Sequence, residues 1–203
     1  KRERIKNQSR DTVLFTLPDD LHKVASHNVD KNILYFFLRY LITNTSFKYS
    51  FWWRIGSFLK QSTSLLSFLY PIVYLFYKHY SYKYSCQIPL GTRIGGGLSF
   101  QHYGTVVING AAKIGRNCTV FHGVTIGLKI GGKNEGVATI GDNCVLGPGC
   151  KILGKCNIGD NVFIGANAVV THDIESGCVV GGIPARVLNH NGVKATELVR
   201  QHK

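Results

Sequence analysis

From residue 88 onward one apolar side chain recurs at every sixth position. The anchors run Ile88, Ile94, Phe100, then Ile108, Ile114, Val120, Ile126, then Ile140, Leu146, Ile152, Ile158, Ile164 and Val170. Gly follows many of them, as at Gly95, Gly115, Gly141 and Gly159. Four residues after most anchors stands a small or β-branched residue: Cys118, Val124, Cys144, Cys150, Cys156, Val162, Ala168. This period matches neither a helix nor a simple alternating strand. It matches a triangular coil, in which each hexapeptide gives one short strand and one corner and three make a turn. The anchor points inward, the small residue fits beside it, and Gly, Asn and Asp supply corners with positive φ. Such coils bury their faces only by stacking, so a mostly β parallel solenoid is predicted over residues 86–188.

The repeat breaks twice. Phe100 and Ile108 are eight apart, which inserts two residues around His102-Tyr103-Gly104. Ile126 and Ile140 are fourteen apart, which loops out about eight residues near Leu128 to Asn134. With the insertions removed, the anchors form three columns. One holds Phe100, Val120, Leu146 and Ile164, another Ile114, Ile140 and Ile158, and the third Ile108, Ile126, Ile152 and Val170. His102 and His122 each lie two residues after an anchor of the first column. They are therefore expected side by side on the outer surface, next to the protruding loop. Interruptions of a regular scaffold are where function tends to sit.

Residues 1–85 follow a different pattern, rich in Phe, Tyr, Leu, Lys and Arg. Helical spacing predicts segments at Leu21 to Val24, after a turn at Pro18-Asp19-Asp20, and at Lys31 to Leu41 and Phe47 to Leu59. Gln61 to Tyr77 carries no charge but is short for a membrane span and is interrupted by Pro71. Two readings stay open for this half. It is a helical cap packed on the solenoid or between subunits, or a monotopic membrane-facing surface with Trp52 and Trp53 at the interface. The domain boundaries expected are 1–85, 86–188 and a C-terminal tail of 189–203.

The chain has 203 residues, with 24 Lys+Arg against 11 Asp+Glu. That balance suits an anionic partner, but no zinc spacing, aromatic RNP-like strand or basic heptad helix accompanies it, so no nucleic-acid partner is expected. The basic start, Lys1 to Lys6, is not followed by an apolar run and does not read as a secretory signal. The chain opens on Lys1 and lacks methionine, so its natural start is expected upstream. Cys118, Cys144, Cys150 and Cys156 all fall in the small inward slot, where free thiols pack well, so no metal site is expected. A reducing cytoplasm is the expected location, with contact at the inner membrane face as an option.

The run Ile94-Gly95-Gly96-Gly97-Leu98-Ser99-Phe100-Gln101-His102-Tyr103-Gly104, followed by Val106-Val107-Ile108, resembles the catalytic segment of serine acetyltransferases and their relatives, the hexapeptide-repeat acyltransferases. Phe121-His122-Gly123-Val124-Thr125-Ile126-Gly127, Cys150-Lys151-Ile152-Leu153-Gly154 and Gly182-Ile183-Pro184-Ala185-Arg186-Val187 resemble later coils and the exit. The resemblance covers about residues 87 to 188. It implies a left-handed β-helix, a homotrimer, acetyl-CoA as donor and a hydroxyl as acceptor, with His102 as general base and His122 in support. It also implies cofactor contacts at Gly127, Leu128, Pro148, Ala166 and Arg186, in a groove between subunits. Two positions depart from the family: Gln87 stands where it has an Asp behind the histidine, and Val137 where it has a second His for serine. These departures speak against serine as acceptor, and the short, aromatic, basic N-terminal half resembles that of the exopolysaccharide acetyltransferases of the colanic acid type, which implies a sugar hydroxyl as acceptor. Serine O-acetylation is the alternative, and an inactive β-helical binding scaffold is the alternative of another class.

Overall fold

The six-residue period folds as a triangular solenoid of about five coils in the computed structural model, which describes residues 16–25, 32–63, 65–102 and 104–201. The start Lys1 to Lys6 and Tyr103 lie outside the described residues. Three parallel sheets form its faces. The first stacks Cys86–Gln87, Val106–Ile108, Thr125–Gly127, Lys151–Leu153 and Val169–Val170; the second stacks Arg93–Ile94, Lys113–Ile114, Thr139–Ile140 and Asn157–Ile158. The third stacks Ser99–Gln101, Thr119–Phe121, Val145–Leu146, Phe163–Ile164 and Val179–Gly181. The register places Phe100 on Val120, Val120 on Leu146 and Leu146 on Ile164. Ile114 sits on Ile140 and Ile158, and Ile108 on Ile126, Ile152 and Val170. The three columns are as predicted.

The column residues other than Phe100 are buried, and the small-slot residues complete the core beside them. Cys118 and Cys144 occupy one inner ladder, while Cys150 and Cys156 belong to the two others, as their backbone bonds to Thr119, Thr125 and Thr139 show. Corners take left-handed backbone at Asn117, Asn143, Asn161 and Asn167, whose φ lies between 56° and 59°. Asparagine tolerates that region better than most residues. Beyond Val170 the period shortens: Ile174 bridges Ile158, four residues after its predecessor, and Val180 rejoins the column of Ile164. The last strand, Arg186–Asn189, runs antiparallel to Val179–Gly181 and covers the open sheet edge. The tail then forms a helix over Gly192–Gln201, anchored by the amide of Gly192 on the carbonyl of Gly177 and by buried Thr196.

The N-terminal half is a helical cap on the first coils. Its helices are α1 (16–24), α2 (Ile33–Thr43), α3 (Thr45–Gln61) and α4 (Tyr70–Lys83), with a 3₁₀ turn at Leu65–Leu69. Two expectations are corrected. Pro18-Asp19-Asp20 lies inside α1 rather than forming a turn before it, since Asp20 is taken up by Arg54 and the amide of Gly97 instead of closing a local turn. Pro71 opens α4 rather than interrupting a longer helix, and the segment from Gln61 divides there.

The cap and solenoid share one core. Tyr49, Trp53 and Tyr77 join the cluster that continues through Ile88, Ile108 and Ile126. Tyr77 donates its hydroxyl to the carbonyl of Ile88 at 2.9 Å, and the indole of Trp53 reaches that of Pro89 at 3.3 Å. Buried Asp20 binds Arg54 and also accepts from the amides of Gly97 and Leu98 at 2.8 and 2.9 Å. Arg54 donates onward to the carbonyls of Ile94 and Gly95. One ion pair thereby ties α1 and α3 to the coil that leads into His102.

Candidate active site

The edge between the third and first sheets is built from equivalent corners: His102 and Gly104, His122-Gly123, Pro148-Gly149, Ala166-Asn167 and Gly182. The amide of Gly149 binds the carbonyl of His122, that of Asn167 the carbonyl of Pro148, and that of Val169 the carbonyl of Gly182. In three of these corners the left-handed residue is the third after the anchor and is Gly or Asn: Gly123, Gly149, Asn167. The inserted residues change this in the first coil, where His102, two after its anchor, has φ 64°. A histidine held there costs about 1–3 kcal/mol, and strain of that kind clusters at functional sites.

The insertion also presses His102 toward the next coil. Its ring centroid lies 5.9 Å from that of His122 and 6.1 Å from that of Phe121. Gly104, at φ 150°, passes so close that a Cβ there would sit 2.9 Å from the Cβ of His122. Only glycine allows that approach. Both imidazoles are exposed, as expected of residues two past an inward anchor. Behind His102 is a hollow of about 30 Å³ lined by Thr45, Ser46, Tyr49, Tyr84, Cys86 and Phe100, room for about one water. Burial pushes the thiol of Cys86 up to about 12, so it is not a nucleophile near neutral pH. Lys151 donates to the carbonyl of Gly123 and brings positive charge to this edge.

The proposed donor-binding residues divide into two groups. Pro148 and Ala166 share the histidine edge, and Arg186 follows the last corner, its guanidinium donating to the carbonyl of Ala185 at 3.1 Å. Gly127 and Leu128 stand at the other end of the strand Thr125–Gly127, about 10 Å along the first sheet. The inserted loop leaves from that second edge, closed by a bridge between Lys129 and Gly136, with Ile130 exposed at its tip. The expected neighbourhood of loop and histidines is therefore corrected: they occupy the two ends of one face, because the fourteen-residue gap opens after a strand and not before it. Val137 lies on the returning side of the loop, and Gln87 is exposed on the first sheet beside Val107.

A larger feature escaped the sequence reading. A cleft of about 910 Å³ runs between α4 and the outer side of the first sheet, with Tyr70, Tyr74, Tyr82, Lys60 and Lys78 on one wall and Gln87, Thr105 and Val107 on the other. The ammonium of Lys78 lies 5.8 Å from the ring of Tyr74 and 5.6 Å from that of Tyr82. Tyr70, Tyr74 and Tyr77 recur at helical spacing, a signal that Pro71 obscures in the sequence.

Residues 138–172 match the family model described as bacterial transferase hexapeptide (six repeats). A serine acetyltransferase of Synechococcus elongatus is 42% identical over 114 residues, which is 55% of this chain and 46% of that protein. One from Mycobacterium tuberculosis is 39% identical over 103 residues, 50% of this chain and 44% of its own length. The chain spans about half the length of these relatives. Among solved structures, soybean serine acetyltransferase complexed with serine superposes with a TM-score of 0.70 at 26% identity, covering 89% of this chain and 71% of its own. The Neisseria gonorrhoeae serine acetyltransferase in complex with serine gives 0.66 at 27%, covering 90% and 72%. These likenesses are to serine acetyltransferases rather than to the exopolysaccharide type that the N-terminal composition had suggested. Over residues 138–172 the chain thus carries the hexapeptide repeat that this family model describes, its sequence is similar to the serine acetyltransferases, and over most of its length it shares their fold.

Proposed function

We propose that this chain is an acetyl-CoA-dependent O-acetyltransferase with His102 as general base. The observation that carries this reading is the inserted corner, which holds His102 in left-handed backbone beside His122, in a run that resembles the catalytic segment of serine acetyltransferases. An aliphatic hydroxyl is a poor nucleophile until its proton is taken, and imidazole suits that task near neutral pH. His102 accepts the hydroxyl proton as the oxygen attacks the thioester carbonyl. The new C–O bond forms, the C–S bond breaks, and the proton passes to the departing coenzyme A sulfur. His122 orients His102 or the acceptor. Backbone amides near Gly127 of a neighbouring copy are candidates for the oxyanion contact, since within one copy Gly127 stands at the other edge. The two separated groups of donor-binding residues then form one groove where an edge of one copy meets the other edge of the next, which favours a homotrimer.

Serine is the acceptor best supported, by the relatives and the structures complexed with serine. A sugar hydroxyl is the second reading, favoured by Gln87 and Val137 at the two departing positions and by the cleft beside Gln87. That cleft has the size of sites that hold drug-sized ligands and is large for one amino acid. Coenzyme A release with acetyl-CoA, measured against free serine and against repeat-unit oligosaccharides, separates the two. Turnover with serine alone supports the first, and turnover with glycan alone the second. Neither, with donor bound intact, points to a binding scaffold.

A further inference from the structure

The helical cap exposes apolar side chains that no other described part of the chain covers. Leu34, Leu38 and Ile42 recur every fourth residue along one side of α2, and Ile42 is 72% exposed. Leu65, 87% exposed, begins a second group that continues through Phe68 to Ile72 and Leu75 on α4. Single exposed leucines are ordinary, but two groups on adjoining helices are not. The helices do adjoin. A chain of rings joins α2, α3 and α4 into one layer: Phe37 to Phe51 at 5.6 Å, Phe51 to Trp52 at 5.1 Å, and Trp52 stacked on Phe76 at 4.4 Å.

Charge says what covers this layer. Between Asp30 and Glu135 the chain contains no acidic residue, against twelve lysines and arginines. Helices α2 to α4 thus carry positive charge only, with Arg39 and Lys83 exposed and Lys48 and Lys78 half-buried. A second copy docked on the same layer would bring like charges together, whereas an anionic surface would neutralise them. No helix of the described residues is long and apolar enough to cross a membrane, so the layer can lie on a bilayer but not span it.

We infer that this layer docks on a bilayer rich in anionic lipids. Leu34, Leu38, Ile42, Leu65, Ile72 and Leu75 enter the headgroup boundary, and the surrounding lysines and arginines meet lipid phosphates. The contact differs from the one expected at Trp52 and Trp53. Trp53 is buried against the solenoid, and Trp52 stacks within the layer. Aliphatic side chains are the anchors instead.

Flotation of the whole chain with vesicles tests this. Vesicles of neutral phosphatidylcholine are compared with vesicles containing about one third phosphatidylglycerol. The chain is expected to float with the anionic vesicles at low salt, to release as salt rises, and to leave neutral vesicles nearly unbound. Leu38→Gln with Leu75→Gln keeps the charge and should weaken binding at least tenfold without changing the melting temperature. Arg39→Gln with Lys83→Gln should weaken it as well. Failure to bind anionic vesicles at low salt overturns the inference. So does binding that the Leu38→Gln/Leu75→Gln variant leaves unchanged, which would mean charge attraction alone. A third contrary result is a fall in particle mass by light scattering for that variant with no vesicle binding by the parent, which would assign the layer to a second copy.

Discussion

The imidazoles of His102 and His122 stand 5.9 Å apart, edge toward face, because Gln101 pairs with Phe121 in register and the next residue of each strand turns the same corner. A positioned base typically contributes about 10²–10⁴-fold to rate. His102→Ala is expected to cut turnover by roughly that factor while the affinity for acetyl-CoA changes little. His122→Ala is expected to cost less. Turnover and donor binding measured on both variants check this, and a more severe loss for His122→Ala would reassign the base.

Asp20 and Arg54 are both almost completely buried. Burial raises the Asp20 carboxyl above its ordinary range, opposed by Arg54 and by the amides of Leu98 and Gly97. Removing one partner strands the other charge, so Arg54→Ala is expected to destabilise the fold by about 3–5 kcal/mol. Asp20→Leu combined with Arg54→Met, which strands neither, should cost less. Denaturant unfolding of the single and double variants measures the difference.

The cysteines are buried and unlinked, and burial pushes the thiols of Cys86 and Cys150 up to about 12. At pH 8 only roughly one such thiol in ten thousand is ionised, so alkylation of either should be slow in the native protein and rapid in denaturant. Reactivity should rise with pH, since the thiolate is the reacting form. Cys150→Ala should lower stability by about 1 kcal/mol through a small void and leave turnover intact. Mass-resolved alkylation and melting curves test both points.

Gly127 and Leu128 occupy one edge of the solenoid, and Pro148 and Ala166 another. If one donor groove uses both groups, it lies between copies, and the active species is a homotrimer. Light scattering at assay concentration checks this, and an active monomer would contradict it.

The hydrophobic period carried most of the fold. Thirteen anchors from Ile88 to Val170 determine the coil, the three columns and the neighbourhood of His102 and His122, because in a solenoid each contact lies a fixed number of residues away. The same regularity made the inserted corner at His102 visible as an interruption. The cysteine slots were legible for the same reason.

Other features depend on long-range packing and left no local trace. Asp20 looked like a turn residue until Arg54, on another helix, received it, and Pro71 looked like a break until the 3₁₀ turn before it showed it to be a helix start. Trp53 looked like an interfacial side chain until the first coil covered it. The cleft beside Gln87 exists only because α4 lies across the first sheet. The sequence by itself determined the period, and with it everything one coil away. Tertiary structure alone decided which helix faces the solenoid buries and which remain exposed, because an apolar residue reads the same in either setting until its neighbours are in place.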